Sequence, residues 1–242
     1  MSVENYTVNG LVIKETKYGE GNKILTVLTD KLGKIQVSAS GVRSYKSKIS
    51  SGCGMYCYSK FLLKQGRGMY NIVAADSICN FYNLCNDYEK LAYAVYFSEL
   101  VCNVTVEDEA FEILRLMLNA MYCLENDFDL KLIKPVFELR LMKECGFMPN
   151  VFGCSECGQS QHLVYFSVDE GVSLCTKCVS KHNLTDSVIS AMQYILTADI
   201  KKIFSFNIDE QGLNILGEIA EKYLISQICS VPKSLVYLKT NL

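Results

Sequence analysis

The chain has no tryptophan, and only three prolines and two histidines among its 242 residues. So little proline leaves helices and strands free to run unbroken, and no polar tract of the kind that stays unfolded is present. His162 and His182 are the only imidazoles, so the commonest general base of hydrolytic and transfer chemistry is scarce. No Walker-type glycine loop, H-E-x-x-H or G-x-S-x-G occurs. Gly66-Arg-Gly68 lacks the third glycine of a dinucleotide fingerprint. The acidic groups Glu107-Asp-Glu109 and Asp127 with Asp129 read as helix starts and solvated surface, not as a two-metal centre. No apolar run reaches the length of a membrane span, and Met1–Tyr6 does not read as a signal peptide. These absences predict a protein that is not an enzyme.

Cysteine, by contrast, is abundant, with twelve residues. Four stand in two tight pairs, Cys154-Ser-Glu-Cys157 and Cys175-Thr-Lys-Cys178, with seventeen residues between the pairs. Two residues between thiolates is the spacing at which one turn aims both sulfurs at a single ion. Two such pairs complete a tetrahedral site with no open position, so the spacing predicts one structural Zn2+. Gly158 lets the first turn fold without Cβ interference. The stretch His162–Ser167, followed by Asp169-Glu-Gly171, reads as a strand and turn that return the second pair. His182 is not needed as a ligand. The other eight cysteines read as small apolar residues in a reducing cytoplasm, and Cys53 with Cys57 as loop chemistry without a metal.

The net charge of −2 hides a division. Residues 1–80 carry eleven Lys/Arg against five Asp/Glu, and residues 81–242 carry thirteen against twenty-one. A basic first third can face a polyanion while the acidic remainder faces proteins. That first third holds five short β-rich runs, beginning near Val8, Lys23, Lys34, Tyr56 and Tyr70, with the last ending near Ala74. Glycine-marked turns separate them, which suggests a small barrel of the OB type at 1–80. Residues 41–52 read as a mobile basic loop. From Tyr88 the apolar period becomes helical. Helices are expected at Tyr88–Leu100, from about Phe111, over Leu132–Cys145, from an Asp186 N-cap, and over Gln211–Ser230. Asp108 and Glu109 suit the dipole of the second, and Pro135 the opening turn of the third. The fold class is therefore α+β and multi-domain: an OB barrel at 1–80, then a helical domain at 81–242 carrying a zinc module at about 150–182.

Lys14, Lys23, Lys34, Arg43, Lys46, Lys48 and Arg67 fall on the barrel with Tyr18, Tyr45 and Tyr70 among them. A positive groove with aromatic faces is how OB barrels hold single strands. No base-reading helix is evident, so specificity should be weak. An OB barrel joined to paired thiolates also suits a zinc-ribbon transcription or translation factor, and a zinc-dependent nuclease is a more distant alternative.

The run Tyr18–Lys34, the following Ala39–Ser47, Leu91–Leu100, and Phe137-Glu-Leu-Arg-Leu141 leading through Gly146-Phe147 into the zinc pairs resemble, in order, the RecO family of recombination mediators. Lys233-Ser-Leu235 continues the likeness near the end. The resemblance implies a RecF-pathway role in DNA repair: binding single- and double-stranded DNA, annealing strands and, with RecR, loading RecA on DNA coated by single-strand-binding protein. It implies a cytoplasmic, nucleoid-associated protein. It also implies that the acidic, apolar-ended tail of single-strand-binding protein docks in the helical domain, where Lys131, Lys134, Arg140 and Lys143 are candidates for a cationic rim. Ser40 and Val42 depart from the more usual basic or small residues beside Arg43, which lowers the expected density of phosphate contacts there.

Overall fold

Alternating apolar and polar residues build five strands in the N-terminal part of the chain: β1 (Asn5–Tyr18), β2 (Asn22–Thr29), β3 (Lys34–Ala39), β4 (Cys57–Gln65) and β5 (Tyr70–Asn80). In the computed structural model, which describes residues 5–105 and 110–241, they pair in the order β1-β2-β3-β5-β4, with β4 returning to β1. This is the expected OB barrel. Every ladder is antiparallel except β3–β5, a parallel seam of two pairs, Val37–Tyr70 and Ser38–Asn71. The inward positions, among them Val12, Leu25, Val27, Val37, Phe61 and Leu63, form one core, each contributing about 1.5–3 kcal/mol by burial.

Irregularities in the ladders shape what lies outside. β1 slips its register between Val12 and Lys14. Beyond that point Lys14–Tyr18 are all exposed and pair with β2 but no longer with β4, as an outer arm of the sheet. β5 runs six residues past the expected Ala74, because register shifts set Val73 and Ile78 outside the ladder and break the alternation. Residues 41–52 are also unlike the mobile loop expected from their polarity. Ser44, Ser47 and Cys53 donate backbone bonds of 3.0, 3.0 and 3.3 Å to Gly41, Ser44 and Ser50 in turn. Val42 and Cys53 insert into the barrel core, so the segment is a plug anchored at both ends.

A 3-10 turn at Tyr82–Asn86 leads into α1 (Tyr88–Val104), whose first turn is capped by Asp87 accepting from Glu89 and Lys90. α2 (Phe111–Glu125) follows; Asp108 and Glu109, expected before it, lie outside the described residues. Contacts divide the chain into two compact units, Met1–Met121 and Tyr122–Leu242.

In the second unit α3 (Leu130–Glu144) is the hub, with nine of its fifteen residues buried, and it packs against both later long helices, α4 (Asp186–Thr197) and α5 (Glu210–Ile228). Asp129 caps α3 two residues earlier than the periodicity implied, so Pro135 falls in the second turn and not the opening one. The N-cap of α4 is Thr185, accepting from Val188 at 3.4 Å, with Asp186 the first helical residue. A short α6 (Lys233–Asn241), unanticipated from sequence, closes the chain. Between α3 and α4 lies a sheet of order β6-β8-β7, from β6 (Asn150–Cys154), β7 (Leu163–Ser167) and β8 (Val172–Cys175). It docks on α5 through Tyr223, whose hydroxyl donates to the Phe147 carbonyl at 2.9 Å and whose ring meets Phe166 edge-on at 5.6 Å. Gly171 (φ +67°) lies against that ring, where an added Cβ would stand 3.0 Å away.

An ion network ties α3, α5 and α6 together. The Lys134 ammonium lies 2.8 Å from Glu138, which is fully buried, and 3.0 Å from Glu221; Glu221 also pairs with Lys239. Burial opposes the charge on Lys134, but Glu138 and Glu221 outweigh it and raise the pKa. Burial likewise opposes the charge on Glu221, but Lys239 and Lys134 hold its pKa below the usual carboxylate range. Glu221 therefore contributes stability above the unfolded carboxylate pKa and loses it as pH falls through the depressed value. Lys134 contributes below the unfolded ammonium pKa and loses it as pH rises through the raised one. Lys134→Met should cost about 3–5 kcal/mol in denaturant unfolding at neutral pH, because it strips the ammonium from a buried carboxylate. Glu221→Gln should cost about 1–2 kcal/mol there, with its stability curve meeting that of the wild type below the depressed pKa. A Glu221→Gln deficit that is equal at all pH values would remove the network as its cause.

Candidate metal centre and nucleic-acid interface

Two short turns present the four paired sulfurs. In the first, the Gly158 N–H donates to the Cys154 carbonyl at 2.9 Å and the Cys154 N–H to the Gln159 carbonyl at 2.8 Å. Gly158 sits at φ +74°, as the turn demands. In the second, Cys178 and Val179 both donate to the Cys175 carbonyl, at 3.0 and 3.1 Å. Ser155 bonds the Ser173 carbonyl at 3.0 Å and draws the turns together. All four Sγ atoms lie within 4.8 Å of one another. Cys157 and Cys175 Sγ are 3.6 Å apart, far beyond a disulfide's ~2.05 Å and near the ~3.8 Å edge of a tetrahedron of sulfurs set ~2.3 Å from a central ion.

The protonation chemistry agrees with that geometry. Burial opposes ionisation of Cys154, yet backbone hydrogen bonds from Cys157, Cys175 and Glu156, together with the Cys157 thiol, hold its pKa down at about 6. Cys178 is pushed up to about 12 by its hydrogen bond with Cys157, by burial, and by the remaining sulfurs including the Cys154 charge. One thiolate is stabilised and its neighbour resisted chiefly through hydrogen bonds among the four sulfurs, which their close approach imposes. Among the described residues this is the one group of three or more His, Cys, Asp or Glu side chains that converges on an ion-sized centre, and it is complete without His182. Burial pushes the Cys53 thiol up to about 12, while Cys57 Sγ rests against the Ser59 and Ser77 hydroxyls at 3.2 Å each.

The barrel's candidate cations fall into four places. Lys14 and Lys23 lie on the arm, where Lys23 pairs with Glu15 at 2.6 Å. Arg43, Lys46 and Lys48 lie on the plug. The Arg43 Nη1 donates to the Glu20 carbonyl at 3.0 Å, and the Lys46 ammonium stands 5.4 Å from the ring centre of Tyr45, itself 90% exposed. Arg67 sits at the tip of the β4–β5 hairpin, and Lys34 at the start of β3, where its ammonium donates to the Cys102 carbonyl in the last turn of α1. Two clefts open beside Arg67 and Lys34. One is lined by Tyr18, Ile24, Ser38, Arg67, Met69 and Asn71; the other includes Thr26, Lys31, Lys34, Gln36, Met69 and Tyr70. Lys31, Gln36, Met69 and Asn71 line these clefts without having been among the sequence candidates. Lys31 was visible only as part of a turn, and Met69 only as the neighbour of a hairpin glycine.

The helical candidates have other occupations. The Arg140 Nη1 donates to the carbonyls of Ile195 and Ala198 at 3.0 Å each, and its Nε to Glu144 at 2.7 Å. The Lys143 ammonium donates to the Leu196 carbonyl at 2.7 Å. Both therefore serve the open carbonyls at the C-terminus of α4. Lys134 belongs to the ion network, and Lys131 is the exposed member of the set. The four do not form one solvated rim.

Comparison with known proteins agrees with this layout. The family model described as "Recombination protein O N terminal" matches residues 1–81, and "Recombination protein O C terminal" matches 85–235. The protein named DNA repair protein RecO from Acetivibrio thermocellus is 34% identical over 96% of this chain and 95% of its own. Its namesake from Alkaliphilus metalliredigens is 32% identical over 89% of this chain and 91% of its own, and that from Caldicellulosiruptor saccharolyticus 28% over 89% and 90%. No helix among the described residues is long and apolar enough to cross a membrane. With both halves matched in order, and the four-sulfur centre inside the C-terminal match, the chain belongs to the RecO family of DNA repair and recombination proteins.

Proposed function

We propose that this protein is a non-catalytic recombination mediator that holds DNA on its barrel, anneals strands and, with RecR, helps load RecA onto DNA coated by single-strand-binding protein. The observation that supports this best is the barrel face itself. The two clefts are lined by Lys31, Lys34 and Arg67 with no carboxylate, beside an exposed Tyr18. Cations meet phosphates there and an aromatic face offers stacking, each base worth roughly 1–3 kcal/mol. Mixing labelled complementary strands with the pure protein tests the reading: faster annealing without cleavage supports it, and metal-dependent cutting refutes it. The ion of the four-sulfur centre, on this reading, is zinc held by Cys154, Cys157, Cys175 and Cys178, and its contribution is to close the module, since such coordination energy is folding energy.

Protein purified without chelator should contain one zinc per chain by elemental analysis, and Cys175→Ser should release it and expose 150–182 to protease. Metal-free protein with an intact module would refute the assignment. Changing Arg43, Lys46 and Lys48 together to Glu should weaken binding to all DNA sequences and reduce the log-salt slope by about 2, at roughly 0.7 per lost single-strand contact. Unchanged affinity at low salt would take the plug out of the DNA-binding face. The acidic tail of single-strand-binding protein is proposed to dock on the helical unit with Lys131 at its rim. Lys131→Glu should weaken tail-peptide binding in a titration without lowering the melting temperature, whereas Arg140→Glu should lower the melting temperature because it opens the end of α4.

A further inference from the structure

The two clefts share one wall. Gly68 and Met69, at the end of the β4–β5 hairpin, line both. One cleft, of 390 Å³, lies toward the arm and carries Arg67; the other, of 440 Å³, lies toward the β2–β3 turn and carries Lys31 and Lys34. Their floors are neighbouring cross-strand rows, Ile24–Ser38 and Thr26–Gln36. The rows are two residues apart along each strand, which at the rise of a β-strand is about 7 Å. Consecutive bases stacked in one strand are about 3.4 Å apart. A strand opened by one inserted side chain therefore steps about twice that distance, the spacing of the two floors.

The wall is built to be thin and to hold its place. Gly68 adopts φ +129°, and an added Cβ would point into open space. At Gly66 a Cβ would come within 2.5 Å of the Met69 carbonyl oxygen, so the turn closes tightly on the backbone that carries Met69. Met69 itself is exposed, 36% of its surface facing solvent. Its unbranched thioether adapts to either face of a base, and methionine is among the apolar side chains that wedge between base steps.

We infer that Met69 is a wedge: a DNA single strand laid across the barrel places one base in each cleft, with the Met69 side chain between them. Arg67 serves the backbone on one side, and Lys31 on the other. The polar groups available to the bases, from Ser38, Asn71, Thr26 and Gln36, are neutral, and no bidentate set for one base is assembled. The two subsites therefore accept any sequence. This inference rests on the reading that the barrel binds single-stranded DNA.

The test uses the full-length protein and a short oligothymidylate carrying two adjacent aminopurine bases, whose emission is quenched while they stack. Fluorescence anisotropy on the same samples reports binding separately. The wild-type protein at saturation should raise the emission about threefold as the step opens, and Met69→Ala should abolish that rise while retaining affinity within about tenfold. Met69→Leu should keep the rise, since a leucine side chain fills the same wall. Saturated binding by wild type with no rise, or a rise undiminished in Met69→Ala, would overturn the wedge and leave the barrel as a DNA-binding face. No binding to any strand by anisotropy would instead overturn the reading on which the wedge rests.

Discussion

The barrel closes through two residue pairs, Val37–Tyr70 and Ser38–Asn71, and the position of that parallel seam decides what the rest of its surface can do. β5 can begin only where it meets the second half of β3, so the preceding hairpin tip is thrown across the outer face of β2 and β3. Arg67 and Met69 then stand beside Ser38 and Gln36 while remaining exposed to solvent. A longer seam would cover that face with strand and fill the clefts. Two parallel pairs are a weak closure, and the ring is held by its antiparallel ladders and its core. The Lys34 bond to the end of α1 fixes the start of β3 independently of the seam.

Cations do different work in the two units, and burial separates the roles. In the helical unit a carbonyl at the end of α4 would cost about 1–3 kcal/mol if buried without a donor, and Arg140 and Lys143 reach across from α3 to supply it. Lys134 neutralises a carboxylate that could not otherwise sit fully buried in a helical core. On the barrel Lys14, Lys31, Lys46, Lys48 and Arg67 remain in solvent. A count of basic residues cannot tell a helix that carries donors inward from a face that carries charge outward, because both read as Lys and Arg at helical or strand spacing.

That difference sets how much the sequence could reveal. The four-sulfur centre was legible because two-residue spacing acts locally, and the barrel because five alternating runs with glycine turns admit few other closures. Val73 and Ile78 hid the second half of β5, since bulges interrupt the very alternation that identifies a strand. The plug looked mobile because Val42 and Cys53 are isolated apolar residues in a polar run, and their burial comes from packing on barrel residues distant in sequence. The fates of Arg140 and Lys143 depend on partners more than fifty positions away. α6 was missed because, among its described side chains, only Leu235 and Leu238 are buried.

On the proposed reading, the weakness of each contact is what suits this face to annealing. A handful of solvated cations, each adding roughly −0.7 to the log-salt slope, gives binding that depends on backbone charge and is indifferent to sequence. A strand gripped by its base edges could not pair with a complement. One held by phosphates on its flanks and by an aliphatic side chain between base planes keeps those edges available. The neutral floors of the clefts serve the same end, since Ser38, Thr26, Gln36 and Asn71 can exchange hydrogen bonds with water as a base departs. A deeper or more charged groove would bind more tightly and release the paired product more slowly, because interface changes act chiefly on the off-rate. Moderate charge density, including an exposed Ser40 near Arg43 where a further cation could stand, suits a protein that must let go of the duplex it helps to form.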